Sequence, residues 1–294
     1  MANLRDVRLH MRAIQQTLQV TKAMKLISTA KLRKGRRILE DTESYFTRIQ
    51  KSMFDILSGA KMNRNRFLKH PKNNKESHAA IVVITSDKGL AGGYNANIFR
   101  HVNKLCEELE NPVLILIGAI GYRYFIHSRL EIFESYSFKS RLPDLDDAKG
   151  IADYIISQYL RDTFSEVHIV YTHMYSSIKL LPREQQLLPL NEKLMQDEFE
   201  KSEGKRVELK FEYLPSKEAV FNALVPLYVK GIIYCSLVEA YVSEQSARMS
   251  AMDDASHSAD KMLGSLQIYY NRVRQGSITQ EMTEIVGGAT ALGN

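Results

Sequence analysis

Residues 248–273 read RMSAMDDASHSADKMLGSLQIYYNRV, and the spacing of their small and apolar side chains decides the fold. Met252, Ala255, Ala259, Met262, Leu266, Tyr269 and Val273 follow one another at intervals of 3, 4, 3, 4, 3 and 4. That alternation is the narrow seam of a coiled coil, not the wider stripe of a helix lying on a globular core. No proline occurs after Pro226, so a long helix is predicted within 216–294. Filling most of that stretch, it would be roughly 90–100 Å long at about 1.5 Å per residue. A compact domain of this size does not contain such a rod, which is therefore expected to project and to need a partner helix.

The other end of the chain supplies one. Residues 1–57 contain no proline and a single glycine, Gly35. Leu4, Val7, Met11, Ile14 and Leu18 repeat the 3, 4 spacing; the apolar stripe then shifts to Ala23, Leu26, Ile27 and Ala30, with Met24 beside it. A drift of this kind is expected of a helix whose strict heptad lapses. Two terminal helices packed antiparallel are predicted, with small seam residues such as Ala255, Ala259 and Gly276 allowing close approach.

Charge sets the first helix apart. Residues 1–37 hold ten Lys or Arg and one acid, Asp6, whereas the whole chain carries a formal net charge of +6. The excess belongs to that helix, and it implies an anionic partner surface or a solvated face. With 44% hydrophobic residues, the chain can bury one sizeable core besides the rod. There is no run of eighteen apolar residues and no apolar signal-peptide core near Met1, so neither a membrane-spanning helix nor a leader is expected. Cys106 and Cys235 lie far apart and form no metal or redox spacing, so buried free thiols are expected.

Between the rods the pattern changes. Residues 58–78 read as an exposed linker rich in Asn and Lys. Ala79–Thr85, Val113–Gly118 and Val167–Tyr171 are largely apolar strand-like runs, alternating with predicted helices near 95–110, 119–128 and 144–162. Buried strands alternating with helices imply a parallel sheet covered on both faces. Residues 179–190 show only prolines and mixed residues, whereas Val207–Tyr213 alternates like an antiparallel edge strand. The predicted architecture is α/β: a long antiparallel coiled coil over 1–57 and 216–294, with a Rossmann-like domain over 79–215 inserted between its arms.

No catalytic set emerges. The loop Ser86-Asp87-Lys88-Gly89-Leu90-Ala91-Gly92-Gly93-Tyr94-Asn95 is glycine-rich, but its G-x-x-G-G spacing is neither the dinucleotide fingerprint nor a P-loop. It reads as a structural turn or a protein-docking surface. None of the eight histidines pairs at metal-ligand spacing; His168 and His173, five apart on a strand, point to opposite faces. Asp144, Asp146 and Asp147 mark a helix start. No catalytic residue, cofactor or metal is therefore expected.

Three segments carry a family resemblance: Thr21-Lys22-Ala23-Met24-Lys25-Leu26-Ile27-Ser28-Thr29-Ala30-Lys31-Leu32-Arg33-Lys34, the glycine-rich loop 86–95, and the C-terminal pair Ser243–Met252 and Ile278–Ala289. In that order, spanning nearly the whole chain, they resemble the gamma subunit of F-type ATP synthase, the central rotor shaft. His257-Ser258, Gly264 and Gly276 depart from the usual pattern, and each interior glycine costs roughly 1 kcal/mol of helix relative to Ala. The extra cysteine-bearing loop of the chloroplast type is absent, so no thiol switch is expected.

The resemblance implies a non-catalytic rotor standing inside a hexamer of alpha and beta subunits, with its foot on a membrane ring of c subunits and against the epsilon subunit. It places Met24 and Lys25 near acidic beta-subunit loops, and Arg274, Gln275, Thr279, Glu281 and Glu284 at the hexamer's torque contact. Ile285, Val286, Ala289 and Leu292 form a smooth apolar bearing tip. A bacterial protein, peripheral on the cytoplasmic face of the plasma membrane, is expected. A nucleic-acid-binding coiled coil would instead use the basic helix against phosphates, with steeply salt-dependent binding, but residues 1–37 hold no interleaved aromatic residue. The other rival is a nucleotide-dependent enzyme built on the α/β domain.

Overall fold

The computed structural model describes residues 4–58, 65–68, 77–176, 179–191 and 213–292. In chain order the elements are α1 (Leu4–Ser58), β1 (His78–Ile84), α2 (Tyr94–Glu108), β2 (Pro112–Ile117), α3 (Ala119–Phe125), β3 (Glu131–Tyr136), α4 (Leu145–Leu160), β4 (Phe164–Met174), β5 (Leu180–Leu188) and α5 (Lys217–Leu292). They form two units: one of 30–247, the other of 1–29 with 248–294.

The larger unit is built on a five-stranded sheet of order β3-β2-β1-β4-β5. The first four strands are parallel, and β5 closes one edge antiparallel to β4. β1 is buried on both faces because its run AAIVVI leaves no polar side. Ala80, Val82 and Ile84 face a core shared by α4 and by Phe46, Met53 and Ile56 of α1 and Phe221, Val225, Val229 and Ile233 of α5. Ile81 and Val83 face Ile98, Val102 and Leu105 of α2 and Phe125 of α3. α4 starts on a capping box: Asp144 accepts from the Asp147 N–H and Asp147 from the Asp144 N–H, while Arg141 binds both carboxylates.

Two edge strands escaped the periodicity argument. β3 is half-exposed and carries Glu131 and Glu134, and β5 contains Pro182, Arg183 and Glu184. Edge positions favour such residues because one side of the strand needs no ladder partner. The predicted edge strand at 207–213 falls almost wholly outside the described residues; Tyr213, the one described position, is not in a strand. Within the predicted linker, Asn65 and Phe67 are buried: Asn65 donates its side-chain amide to Asn222 at 2.7 Å, and the Phe67 carbonyl accepts from the Leu190 N–H. An 18-residue window within α5 reaches a mean hydropathy of 1.5, long and apolar enough by composition to cross a membrane, and half of it is buried within the protein. The sequence count excluded such a window because it required an unbroken apolar run.

In the larger unit α1 and α5 approach closely at two glycines. A Cβ on Gly231 would overlap Cε1 of Phe46, and one on Gly35 would lie 2.7 Å from Cγ2 of Val242. Only a hydrogen at these positions lets the helices sit at this distance.

The smaller unit is the antiparallel pair of α1 and α5 ends. Arg8 donates to the Tyr270 hydroxyl at 2.6 Å and stacks over its ring; Thr21 meets Ser256; Lys25 binds Asp253 at 2.6 Å and Lys22 lies 3.5 Å from Asp260. From Thr21 to Arg8 the pairing retreats along α1 while it advances from Ser256 to Tyr270 on α5, as an antiparallel seam requires.

Seam membership differs from the sequence reading at defined places. Val7 and Leu18 are buried, Leu4, Met11 and Ile14 half-buried. Beyond Leu18 the buried positions are Thr21 and Ser28, with Met24 and Lys25 half-buried between them. The 3, 4 register therefore persists, and Ala23, Leu26, Ile27 and Ala30 point outward. Following hydrophobicity led off the seam because the seam itself turns polar. On α5, Met252 and Ala259 are buried and Ala255, Leu266 and Val273 half-buried, but Met262 and Tyr269 are 50% and 42% exposed. Their neighbours Leu263 and Tyr270 take the inner positions, and Ser256 is more buried than Ala255. A 4, 3 alternation fits the string as well as 3, 4, and the partner helix selects between them.

Candidate interaction surface

Open parallel sheets bind ligands in the crevice beyond the carboxyl ends of their strands, where the strand order reverses. Here that point lies between β1 and β4. The pocket itself lies on the other side of β1, over the ends of β1 and β2, where Leu237, Ala240, Tyr241 and Glu244 of α5 meet Thr85, Gly118, Tyr94 and Phe138, and the space left is about 30 Å³. That holds water, not a nucleotide. The glycine-rich loop is likewise internally tied. Asn95 accepts from the Ser86 N–H and donates to the Ser86 hydroxyl. Asp87 accepts from the Ala119 N–H at 3.0 Å, the Ser137 hydroxyl at 2.8 Å and the Ser140 N–H at 2.7 Å. Its carboxylate thus occupies donors that a phosphate would need, and knits together the loops after β1, β2 and β3. Gly118, at φ +102 with Thr85 O in the place of a Cβ, fixes the turn into α3.

Buried titratable groups occur as pairs inside this unit. His168 lies 3.0 Å from Glu184 on β5 through Nδ1 and 3.4 Å from Glu166 through Nε2, and His101 of α2 lies 3.6 Å from the other Glu184 oxygen. Burial alone pushes the imidazole down, but the two carboxylates outweigh it and the net shift is upward. On the opposite face of β4, His173 pairs with Glu239 of α5; burial pushes that carboxyl up. Burial also raises the Cys106 thiol to about 11, leaving it unreactive. No cluster of metal-ligating geometry occurs among the described residues. None of these arrangements joins a nucleophile, a base and an orienting group.

What the molecule does present is surface on the smaller unit. Arg274, Gln275, Thr279, Glu281 and Glu284 are all exposed on α5. Three of them are met along the helix itself: Thr279 donates to the Gln275 carbonyl, Ser277 to Glu281 and Gln280 to Glu284. Ile278, Met282, Ile285 and Val286, spaced as one helical stripe, are 50–70% exposed, and Ala289 is exposed too. The side chain of Leu292 lies outside the described residues. On α1, Leu9, Val20, Leu26 and Ile27 are more than half exposed, the last two at positions where the apolar stripe predicts burial. Met24 is half-buried, and the Lys25 ammonium is engaged by Asp253. Exposed apolar side chains in stripes of this kind mark protein contact surfaces.

The comparisons with known proteins concern the whole chain. A protein-family model described as ATP synthase matches residues 3–292. The ATP synthase gamma chain of Ruminiclostridium cellulolyticum is 40% identical over 99% of both chains. That of Acetivibrio thermocellus is 38% identical over 99% of this chain and all of its own. Among solved structures, a chain of the central stalk and c-ring of the Tetrahymena thermophila mitochondrial ATP synthase matches with a TM-score of 0.58 at 25% identity. The match covers 81% of this chain and 99% of that one.

Proposed function

The chain belongs to the ATP synthase gamma-chain family, and from that premise we propose how its surfaces work in the motor. It is the non-catalytic central-stalk rotor subunit; the complex, not this chain, is the ATPase. The observation that carries the reading at residue level is the antiparallel pairing of the two chain ends in register, Thr21 against Ser256 and Lys25 against Asp253. A shaft needs stiffness without a stalk-length globular core, and two helices locked along small seam residues supply it.

The hexamer of alpha and beta subunits is assigned to the smaller unit. Arg274, Gln275, Thr279, Glu281 and Glu284 offer polar contacts, and hydrogen bonds along their own helix orient Thr279, Glu281 and Glu284. Ile285, Val286, Ala289 and Leu292 offer a smooth apolar bearing without deep anchors. Met24 and Lys25 face the acidic beta-subunit loops, and the excess positive charge of residues 1–37 steers and positions more than it binds. Differential contact of this asymmetric surface with each beta subunit biases a two-state element there. The epsilon subunit and the c ring are assigned to the sheet unit, which makes the assembly peripheral to a membrane, on the cytoplasmic face in a bacterium.

The test is reconstitution into a complex lacking its gamma chain. The purified chain alone is expected to hydrolyse no ATP, and its addition is expected to restore ATP-driven ion pumping. Met24→Lys should leave assembly and hydrolysis intact while pumping falls. A Met24→Lys complex that pumps as well as the parent removes Met24 from the coupling surface.

A further inference from the structure

We propose that torque passes between the sheet and α5 through a polar joint at residues 239–243, where three directional contacts fix the helix against sliding. The proposal rests on the rotor reading. Apolar packing resists separation of two elements, but it is non-directional and weakly opposes slip along a helix axis or rotation about it. Hydrogen bonds have preferred distances and angles, so they oppose both. Within the sheet unit α5 packs largely through apolar side chains from Phe221 to Leu237.

At 239–243 the character changes. The Tyr94 hydroxyl of α2 donates to the Ala240 carbonyl at 3.2 Å, a bond to the helix backbone itself. The Ser243 hydroxyl donates to the Thr172 carbonyl of β4 at 2.9 Å, and Ser243 is fully buried. Glu239 accepts from the Met174 N–H at 3.3 Å and pairs with His173, both on β4. Arg183 of β5 and Tyr171 of β4 face the same carboxylate. The three contacts come from α2 and from successive residues at the end of β4, so they hold the helix from more than one direction. Lys230 with Asp153, farther back on α5, is a half-exposed ion pair and opposes slip less.

The experiment measures torsional stiffness in the assembled complex. The chain is co-expressed with the alpha and beta subunits of Ruminiclostridium cellulolyticum. A bead is attached either to the sheet, through Glu131→Cys on β3, or to α5, through Glu218→Cys. With the nucleotide-stalled hexamer held on a surface, bead fluctuations report the stiffness between hexamer and attachment point. In a Tyr94→Phe, Ser243→Ala, Glu239→Gln triple variant the sheet-attached bead is expected to fluctuate with about twofold lower stiffness. The α5-attached bead is expected to keep parental stiffness, and ATP hydrolysis to stay at the parental rate. Equal stiffness for the sheet-attached bead in parent and variant overturns the joint. If the triple variant does not fold, Tyr94→Phe and Ser243→Ala, which each remove one neutral hydrogen bond, carry the same comparison. A parental complex whose beads never rotate with ATP overturns the rotor reading itself, a different result from a rotating variant of unchanged stiffness.

Discussion

The hydroxyls of Thr21 and Ser256 meet at 2.8 Å inside the seam of the paired chain ends, both residues less than a tenth exposed. Each also reaches a carbonyl of its own helix: Thr21 donates to Leu18 at 3.0 Å, and Ser256 lies 2.7 Å from the Met252 carbonyl. Neither hydroxyl depends wholly on the other. Ser256→Ala is expected to cost about 0.5–1.5 kcal/mol, and Thr21→Val should cost less in that variant than in the parent, since the hydrogen bond between the two hydroxyls is already gone. Urea unfolding of the two single variants and the double measures this directly; additive losses would mean that the pair is not coupled.

Glycines of α5 should respond oppositely to substitution. Gly231→Ala drives a methyl into the Phe46 ring and is expected to destabilise by about 3 kcal/mol or more. Gly264 and Gly276 have open space where a Cβ would stand, so Gly264→Ala and Gly276→Ala should each stabilise by up to about 1 kcal/mol through helix propensity. Thermal melts of the three variants decide it, and a neutral Gly231→Ala would contradict the close approach.

His168 makes stability depend on pH in a defined direction. Its folded value lies above the ordinary imidazole range because Glu166 and Glu184 outweigh burial, with His101 on α2 facing the same Glu184 carboxylate. A raised imidazole contributes stability that is complete below about 6.5 and is lost as pH rises through the folded value. The melting temperature is expected to fall across that window, and His168→Gln should flatten the fall. An NMR titration of His168 with a midpoint below the ordinary value would reverse the prediction.

Lys25 and Asp253 give the opposite sign on an exposed surface. The Lys25 hydrogen bond, with its charge and that of His257, holds the Asp253 carboxyl below the usual carboxylate range. Lys25→Ala should therefore raise the Asp253 midpoint, read by NMR titration, and the shift should shrink with added salt. The stability it carries is present above the ordinary carboxylate range and lost as pH falls through the lowered value.

Much of the architecture was legible because its signals are local. Ala79–Ile84 and Val113–Ile117 are apolar without a break, as a strand buried on both faces requires. Asp144, Asp146 and Asp147 announced the start of α4 because acids suit a helix N-terminus, a local rule that needs no distant partner. β3 and β5 were missed because edge strands carry charge and proline, and their pairing is written in β2 and β4, not in their own residues. The exposed face of the paired ends was legible in part. Arg274 to Glu284 were picked out through their family motif, whereas the exposed Leu26 and Ile27 were turned inward on hydrophobicity alone.

Periodicity, with no proline in residues 1–57 or after Pro226, was enough to specify two long helices, and their common 3, 4 spacing was enough to make them partners, because a repeat along one helix is a property of that helix's own residues. From Leu4 to Leu18 the facing side was legible too, but beyond Leu18 on α1, and between the two possible registers on α5, it was settled only by the fold. Thr21 and Ser256 lie in the seam while Leu26, Met262 and Tyr269 lie outside it, since a polar side chain is cheap to bury when an opposing group completes its hydrogen bond. That completing group sits more than two hundred residues away in sequence, beyond the reach of any pattern read along one strand of text.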